Sequence, residues 1–369
     1  MNSERLINTF LDLVKINSVS KDEKSLALEL KSRLEKMGFE TYIDDADKKS
    51  GSNTGNLIAK LKGNKNVPPI MLSAHMDTVN PGYNIKPQII DGVIRSDGTT
   101  ILGADDKAGI AAILEAVTYI IENNIPHGPI EIVFTICEEI GLLGAKYLDH
   151  SKLQSKHAFV FDSSGEVGTV IIQGPAQKLI NASIKGKAAH AGLNPEKGID
   201  AIAVAARAIS NMKLGRIDNE TTANVGIIRG GHSTNIVCDL LELEAEARSL
   251  KTEKLDNQVK HMIQCLEDEC KKAHAQLEID IQDCYDAFSI DLNDPILEVV
   301  ESAMKNAGID YKPRSTGGGS DTNILNKSGI KAVTLGIGMT DSHSTEESIT
   351  IDSLEKTALF IEKLIQEMK

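Results

Sequence analysis

The segment AGIAAILEAVTYIIENNIPHGPIEIVFTICEE, residues 108–139, decides the fold class. Its first part, Ala108 to Ile121, is rich in Ala, Ile and Leu and predicts a buried helix, while Ile130 to Ile136 predicts a strand buried on both faces. Residues 69–74, 158–161 and 332–335 repeat the strand pattern. Apolar strands that alternate with helices indicate an α/β fold with a mostly parallel sheet, whose ligand sites lie beyond the carboxyl ends of the strands.

The chain divides into three segments by its pattern. At 369 residues it exceeds the size at which one hydrophobic core usually keeps growing, so two domains are expected. Residues 178–287 predict a smaller α+β unit, in which polar-apolar strands alternate with a short helix and a long charged helix. We therefore expect an α/β domain formed by residues 1–177 and 288–369, interrupted by an inserted α+β domain.

Composition and charge exclude several classes of partner. Lys and Arg total 40 against 53 Asp and Glu, the net charge is -13, and no basic tract could follow a phosphate backbone, so we expect no nucleic-acid partner. No stretch approaches the ~20 apolar residues of a membrane span. The five cysteines form no C-x-x-C pair, and the N-terminus lacks the features of a signal peptide, which together favour a cytoplasmic protein with reduced thiols.

Acidic and histidine side chains follow four of the predicted strands. They are His75 and Asp77 after residues 70–74, Glu138 and Glu139 after 130–136, Asp162 after 158–161, and Asp341 and His343 after 332–339. One such residue is ordinary at a solvent-facing strand end. Four strand ends of this kind in one sheet, with Asp105 and Asp106 at the start of the buried helix, favour a metal site.

Two spacings suggest separate roles within this group. In an extended strand residues i and i+2 share a face, so Asp77 could accept the second ring N–H of His75 and fix its tautomer. Glu138 and Glu139 are neighbours and point in different directions. One of them can bind metal while the other acts as a general base.

Several segments carry a family resemblance in order and spacing. Ser73-Ala74-His75-Met76-Asp77-Thr78-Val79, Gly103-Ala104-Asp105-Asp106-Lys107-Ala108-Gly109, Glu138-Glu139-Ile140-Gly141 and the late His343 resemble the dinuclear zinc aminoacylase/carboxypeptidase family of metallopeptidases. That family includes peptidase T, glutamate carboxypeptidase and succinyl-diaminopimelate desuccinylase. The resemblance covers nearly the whole chain, and the segment around Asp105 is closest to peptidase T-like proteins.

The resemblance implies five metal ligands. His75 and Asp162 would bind one ion, Glu139 and His343 the other, and Asp105 would bridge both. This mixed nitrogen and oxygen set suits Zn²⁺, with Co²⁺ or Mn²⁺ as alternatives.

The resemblance also implies the roles of two further acidic residues. Asp77 would orient His75, and Glu138 would act as the base. The hypothesis is that Glu138 deprotonates a water held between the ions, which attacks the scissile carbonyl, and then passes the proton to the leaving amine.

The inserted domain resembles the lid of this family. Ala189-His190-Ala191-Gly192 is similar to a segment whose histidine, here His190, reaches the active site of a partner subunit and stabilises the oxyanion. Residues 230–235 with Arg248 resemble a substrate clamp that includes Asn235. The resemblance thus implies a homodimer formed through the lid.

The glycine turn Gly317-Gly318-Gly319, followed by Ser320 and Asp321, could present backbone N–H groups, including that of Gly318, to a substrate. In peptidase T an arginine precedes the corresponding glycines, whereas here Thr316 does, which leaves the strict tripeptide specificity open.

The function expected from these features is cleavage of an amide bond in small peptides by a two-metal aminopeptidase or tripeptidase. An N-acyl amino acid deacylase or desuccinylase is the main alternative, because the same centre can hydrolyse either amide. A non-catalytic relative that binds metal or peptide is the alternative from another class. A nucleophilic Cys137 is disfavoured, because burial beside two glutamates raises the pKa of a thiol.

Overall fold

The computed structural model describes residues 1–367, which fall into two compact units. The first unit contains Met1–Ile172, Ser289–Ser315 and the chain from Ser320 onward, and the second contains Gln173–Phe288 and Thr316–Gly319. Each unit is described by itself below.

The strands, in chain order, are β1 (Glu40–Ile43), β2 (Leu57–Leu61), β3 (Ile70–His75), β4 (Gln88–Ile90), β5 (Val93–Arg95), β6 (Ile130–Thr135), β7 (His157–Ser163), β8 (Thr169–Gly174), β9 (Ala176–Lys185), β10 (Gly215–Arg216), β11 (Thr221–Gly230), β12 (Leu240–Ser249), β13 (Gln276–Tyr285), β14 (Phe288–Ser289), β15 (Lys312–Ser315), β16 (Lys331–Gly336), β17 (Met339–Thr340) and β18 (Ser348–Thr350). The helices are α1 (Ser3–Lys15), α2 (Lys24–Lys36), α3 (Asp47–Ser50), α4 (Ala104–Glu122), α5 (Leu143–Lys146), α6 (Ala201–Asn211), α7 (Thr252–Ala273), α8 (Pro295–Asn306), α9 (Asp321–Lys327) and α10 (Ile351–Glu367).

The first unit is built on a sheet whose strand order runs β1-β2-β6-β3-β7-β16-β8. Its four central strands are parallel: β3 pairs with β6 on one side and with β7 on the other, and β7 pairs in turn with β16. The outer strands β1, β2 and β8 run antiparallel to their neighbours. The α/β fold with a largely parallel sheet is confirmed, and the carboxyl ends of four parallel strands therefore meet at one edge.

Helices pack on this sheet because their apolar faces are buried against it. Helix α4, which is apolar over most of its surface, packs on β3 and β7 and is contacted by α1 and α10. Arg5 of α1 makes two hydrogen bonds of 2.6 and 2.9 Å to the buried carboxylate of Glu115 on α4. Phe161 and Phe360 pack edge to face with ring centroids 6.2 Å apart. These contacts join α1, α4 and α10 to the central strands.

A small sheet of order β17-β18-β5-β4 adjoins this framework. Strands β17 and β18 form a hairpin, with Met339 opposite Ile349, and β18 pairs in turn with β5. The connecting loop, residues 341–347, contains two non-glycine residues at positive φ, Asp341 (54°) and His343 (65°). The hairpin therefore fixes both ends of the loop that carries His343.

The second unit is an antiparallel sheet of order β10-β11-β12-β9-β13 with helices α6 and α7 packed on it. Its own core includes Ile180, Val204, Leu243 and Met262. Asp200 begins α6 as an N-cap whose carboxylate accepts the N–H groups of Ile202 and Ala203. An α+β unit is what the pattern of residues 178–287 predicts.

Element boundaries differ from the sequence prediction in specific places. Helix α4 includes Ala104, Asp105 and Asp106 ahead of the predicted start at Ala108, but Asp105 and Asp106 have non-helical backbone angles, so the regular helix follows Asp106. The last helix begins at Ile351 rather than Ser353, and its predicted end at Met368 lies outside the described residues. Within residues 1–367, no helix has both the length and the apolar character needed to cross a bilayer.

Candidate metal centre

The five predicted metal ligands all lie in the first unit, at the carboxyl edge of the central sheet. His75 is the last residue of β3, Asp162 lies near the end of β7, and Glu139 follows β6. His343 lies in the loop after β17, and Asp105 lies in the first turn of α4. Parallel strand ends, one helix start and one loop thus bring together side chains that are far apart in sequence.

Asp105 lies at the middle of the cluster. Its Oδ1 is 3.0 Å from Nε2 of His75, and its Oδ2 is 3.3 Å from Nε2 of His343. His75 Nε2 is also 3.6 Å from Oδ1 of Asp162, and His343 Nε2 is 2.9 Å from Oε1 of Glu139. Each oxygen of Asp105 therefore faces one histidine, and each histidine faces one further carboxylate.

Two of these separations, 3.3 and 3.6 Å, match those of ligands on a zinc-like ion, and the other two, 3.0 and 2.9 Å, are slightly shorter. Zinc–ligand distances of about 2.0–2.2 Å place neighbouring ligand atoms of a tetrahedral ion about 3.3–3.6 Å apart. Ligand atoms within 4.8 Å of one another form two groups, His75 with Asp105 and Glu139, and His75 with Asp106 and Asp162; these groups overlap the two assigned ligand sets but share His75 and do not include His343. The residues present fit the implied dinuclear group.

The charges of the cluster favour the same conclusion. Burial raises the pKa of Asp162 to about 7, although His75 lowers it, and burial also raises the pKa of Glu139. Burial lowers the pKa of His75, but its carboxylate partners Asp105, Asp162 and Asp77 raise it well above the usual value. Hydrogen bonds to Asp105 and Glu139 raise the pKa of His343 to about 10. Buried carboxylates in this excess require cations, and divalent ions meet that need.

Two more acidic residues belong to the site: the sequence analysis grouped Asp106 with Asp105 at the expected metal site without naming it as a ligand, and it gave Asp321 no role. Asp106 and Asp321 are both buried, and the Oδ1 atom of each has no hydrogen-bond partner among the described residues. Asp106 Oδ2 accepts the backbone N–H of His75 at 3.2 Å, and Asp321 Oδ2 accepts the hydroxyl of Thr135 at 2.6 Å. Burial raises the pKa of Asp321 to about 6. Their sequence signal was an acid at a helix start, which usually indicates capping only.

Asp77 contacts the site differently from the sequence prediction. The Nδ1–H of His75 donates to the backbone carbonyl of Asp77 at 2.8 Å, whereas the carboxylate Oδ1 lies 3.5 Å away. The carboxylate instead accepts the backbone N–H of Glu138 at 2.8 Å, that of Glu139 at 3.2 Å, and the hydroxyl of Ser20 at 2.7 Å. The backbone of Asp77 therefore orients His75, with Nε2 toward the cluster, and its side chain orients the glutamate pair.

Glu138 and Glu139 follow a turn at Cys137, whose φ is 51°. Glu139 faces His343, while Glu138 is buried among the acids of the cluster. Burial and the neighbouring charge of Asp162 raise the pKa of Glu138 well above the usual carboxyl value. A raised pKa suits a carboxylate that must take up a proton during a reaction near neutral pH. Burial raises the pKa of Cys137 to about 12, so its thiol is a poor nucleophile.

A cleft of about 470 Å³ opens beside Glu139 in the first unit. Val79, Ile140 and Leu143 give it apolar walls, and Lys21 adds a cationic side chain. Pockets of this size hold small ligands with a few polar anchors.

The remaining predicted site residues lie in the second unit. His190 is exposed, and its Nδ1 accepts the backbone N–H groups of Gly192 at 3.1 Å and Leu193 at 3.2 Å. The Ala191 N–H donates to the Asn235 carbonyl at 3.0 Å, so these two segments adjoin. Arg248 donates to Glu246, and Gly318 is exposed in the glycine turn. Their roles stay predictions.

Comparison with known proteins gives consistent matches. A family model described as Peptidase family M20/M25/M40 matches residues 71–367. The chain is 43% identical to uncharacterized protein YqjE of Bacillus subtilis (strain 168) over 100% of this chain and 99% of that protein. The crystal structure of aminopeptidase PepT from Bacillus cereus ATCC 10987 has 44% identity and a TM-score of 0.91, covering 100% of this chain and 99% of that one. A tripeptidase from Staphylococcus aureus subsp. aureus Mu50 has 42% identity and a TM-score of 0.95, covering 99% and 98%.

These matches span the strand ends that carry the candidate ligands, and they confirm the resemblance to peptidase T-like metallopeptidases. The chain therefore belongs to peptidase family M20/M25/M40 and is a metallopeptidase.

Proposed function

We propose that this chain is an aminopeptidase acting on short peptides such as tripeptides, with two divalent metal ions, preferentially Zn²⁺, bound by His75, Asp162, Asp105, Glu139 and His343. The observation that carries the proposal is the placement of Asp105, whose two oxygens face one histidine each. The names of the two similar crystal structures, an aminopeptidase and a tripeptidase, support the substrate class.

The metal ions, when bound, supply polarisation of the scissile carbonyl and a lowered pKa of water. Glu138 takes the proton of the attacking water and transfers it to the departing amine, so that the amide nitrogen leaves as a neutral amine. Its burial supports this role, because a raised pKa brings the carboxylate closer to the pH at which it works. Asp77 is a positioning residue that fixes the backbone of Glu138 and Glu139.

In the lid we propose that His190 donates from Nε2 to the developing oxyanion in the active site of a partner subunit, and that Asn235, Arg248 and Gly318 bind substrate. The contacts of Nδ1 support this: because Nδ1 accepts two backbone N–H groups, the neutral ring carries its proton on Nε2. The lid residues also underlie the proposed homodimer. A cytoplasmic location is part of the proposal and is supported by the buried thiols of Cys137, Cys238, Cys265 and Cys270, which form no disulfide.

The experiment measures release of amino acids from di- and tripeptides and from N-acyl amino acids by the zinc-reconstituted enzyme, with chelator controls. Glu138→Ala should keep its metal content and lose about 100-fold or more of its turnover, because general base catalysis contributes about 10²–10⁴-fold. Cys137→Ala is the matched control at the neighbouring position and should keep its turnover.

The outcomes separate the alternatives. Peptide cleavage that is lost in Glu138→Ala and in chelator supports the proposal. Cleavage of N-acyl amino acids alone makes the protein a deacylase. Metal binding without turnover on either set makes it a non-catalytic relative, and full activity of Glu138→Ala removes the assigned base.

A further inference from the structure

Glu347 lies at the base of the loop that carries His343, directly before β18. It is fully buried, whereas its neighbour Glu346 is exposed. Its backbone N–H donates to the carbonyl of Ser344 at 3.2 Å, which closes the loop on itself. Glu347 is therefore part of the segment that presents one predicted metal ligand.

The Glu347 carboxylate is hydrogen-bonded to the segment that carries another ligand. Its Oε2 accepts the backbone N–H groups of Leu102 and Gly103, each at 2.7 Å, and its Oε1 accepts the backbone N–H of Asp105 at 2.8 Å. These N–H groups lie at the start of α4, where no earlier helical carbonyl can accept them. A carboxylate acceptor makes stronger hydrogen bonds here than a neutral group would.

The contact joins two segments 242 residues apart. His343 lies four positions before Glu347, and Asp105 is itself one of the residues whose N–H is bound. Asp105 and His343 face each other at 3.3 Å, so a shift of either segment changes the separation of ligands for the same ion. Glu347 fixes that separation through the backbone, without itself facing the ligand atoms.

We propose that Glu347 is a positioning residue which clamps the start of α4 to the His343 loop and thereby sets the affinity of the metal site shared by Asp105, Glu139 and His343. This inference rests on the proposed function, because it takes Asp105, Glu139 and His343 as metal ligands. It goes beyond that function because Glu347 is not itself assigned to contact metal or substrate.

A role in fold stability alone predicts a different result. Loss of three hydrogen bonds in a purely structural contact lowers stability with or without metal, and leaves the zinc affinity of the folded fraction unchanged. Loss of a clamp on two ligand segments lowers the zinc affinity itself, because the ligands must then be brought together at the expense of binding free energy.

The test uses Glu347→Gln, Glu347→Asp and the matched control Glu346→Gln in the full-length protein. Glutamine keeps the size of the side chain but has one acceptor oxygen, so its amide NH₂ must face an N–H donor at either Asp105 or the Leu102–Gly103 pair. Aspartate keeps the charge but is one methylene shorter. Zinc dissociation constants are measured on metal-free protein by competition with a chromophoric chelator, and thermal unfolding of the same metal-free samples is followed by circular dichroism.

For Glu347→Gln and Glu347→Asp we expect at least one of the two zinc dissociation constants to rise about 10- to 100-fold, the usual effect of removing a residue that orients metal ligands. Glu346→Gln should bind zinc as the wild type does. Wild-type affinity in folded Glu347→Gln overturns the proposal, and failure of both Glu347 variants to fold without metal overturns it in favour of a purely structural role. Absence of zinc binding by the wild type would instead refute the two-metal assignment itself.

Discussion

Replacement of Asp77 by asparagine tests how the site orients its glutamate pair. The buried carboxylate accepts the N–H of Glu138 on Oδ1 and the N–H of Glu139 on Oδ2, together with the Ser20 hydroxyl. Asparagine has only one acceptor oxygen, so one of the two backbone N–H groups must face an NH₂ donor. The Ser20 hydroxyl can rotate to accept from that NH₂, whereas a backbone N–H has no such freedom.

The expected magnitude follows from one unsatisfied buried N–H, which costs about 1–3 kcal/mol. If this cost appears in the transition state, kcat/KM falls about 5- to 160-fold, since 1.36 kcal/mol corresponds to a factor of ten. We expect Asp77→Asn to keep its two equivalents of metal, because the partner of His75 Nδ1 is the backbone carbonyl of Asp77 and not its side chain.

The assay combines steady-state cleavage of a tripeptide with metal analysis of the purified variant. Ser20→Ala is the control, since it removes one hydroxyl but leaves both backbone N–H groups bound to the carboxylate, and it should change kcat/KM less than Asp77→Asn does. Metal loss with normal turnover per bound ion would refute this reasoning and return the Asp77 carboxylate to the role of orienting His75. Unchanged kcat/KM and metal content would refute any role for it.

Three further predictions concern stability. Arg5→Ala should lower the free energy of unfolding by about 1–3 kcal/mol in urea titrations, because it leaves the Glu115 carboxylate buried without its cation; an unchanged midpoint would contradict the account. Burial raises the pKa of Asp294, but the hydrogen bonds from Lys331 and from the N–H of Ile296 outweigh burial, so the pKa in the folded state is lowered. Asp294 therefore stabilises the folded state at pH values above its unfolded pKa of about 3.9. This stabilisation is lost as the pH falls through the folded pKa. Asp294→Ala should therefore lower the free energy of unfolding by about 1 kcal/mol at pH 7, as loss of an N-cap does, and by less once the pH is below the folded pKa of Asp294; a loss that does not change with pH would contradict the assignment. Zinc at 100 times its dissociation constant should raise the free energy of unfolding by about 2.7 kcal/mol, and a chelator should reverse the gain; a metal-independent transition would show that the folded state does not bind zinc.

Local sequence pattern was sufficient to predict the fold class and to select the segments that meet at the candidate site. The apolar run from Ile130 to Ile136 predicts a strand buried on both faces, and the structure has β6 at Ile130–Thr135 within the parallel centre of the sheet. Because parallel strands end at one edge, acids and histidines that follow such runs are expected to lie together. The structure places His75, Glu139, Asp162 and His343 at that edge, although their roles as ligands remain to be tested.

The sequence was less informative wherever a backbone turn or a distant segment decides a contact. It placed Asp105 and Asp106 in the loop that turns into a helix from Ala108, whereas α4 includes both acids, with non-helical backbone angles, in its first turn. The i, i+2 rule gave the carboxylate of Asp77 as the partner of His75, but the strand ends at His75, and the carbonyl reaches the ring instead.

The sequence by itself determined the α/β class and predicted the inserted α+β unit and the set of candidate ligands, because these depend on periodicity and on residues adjacent to strands. Only the tertiary structure decided that each oxygen of Asp105 faces a different histidine, that Asp106 and Asp321 have unpartnered oxygens in the site, and that Glu347 holds the start of α4. Those contacts join segments up to 245 residues apart, and no local spacing encodes the distance between two loops that meet only after the sheet has formed.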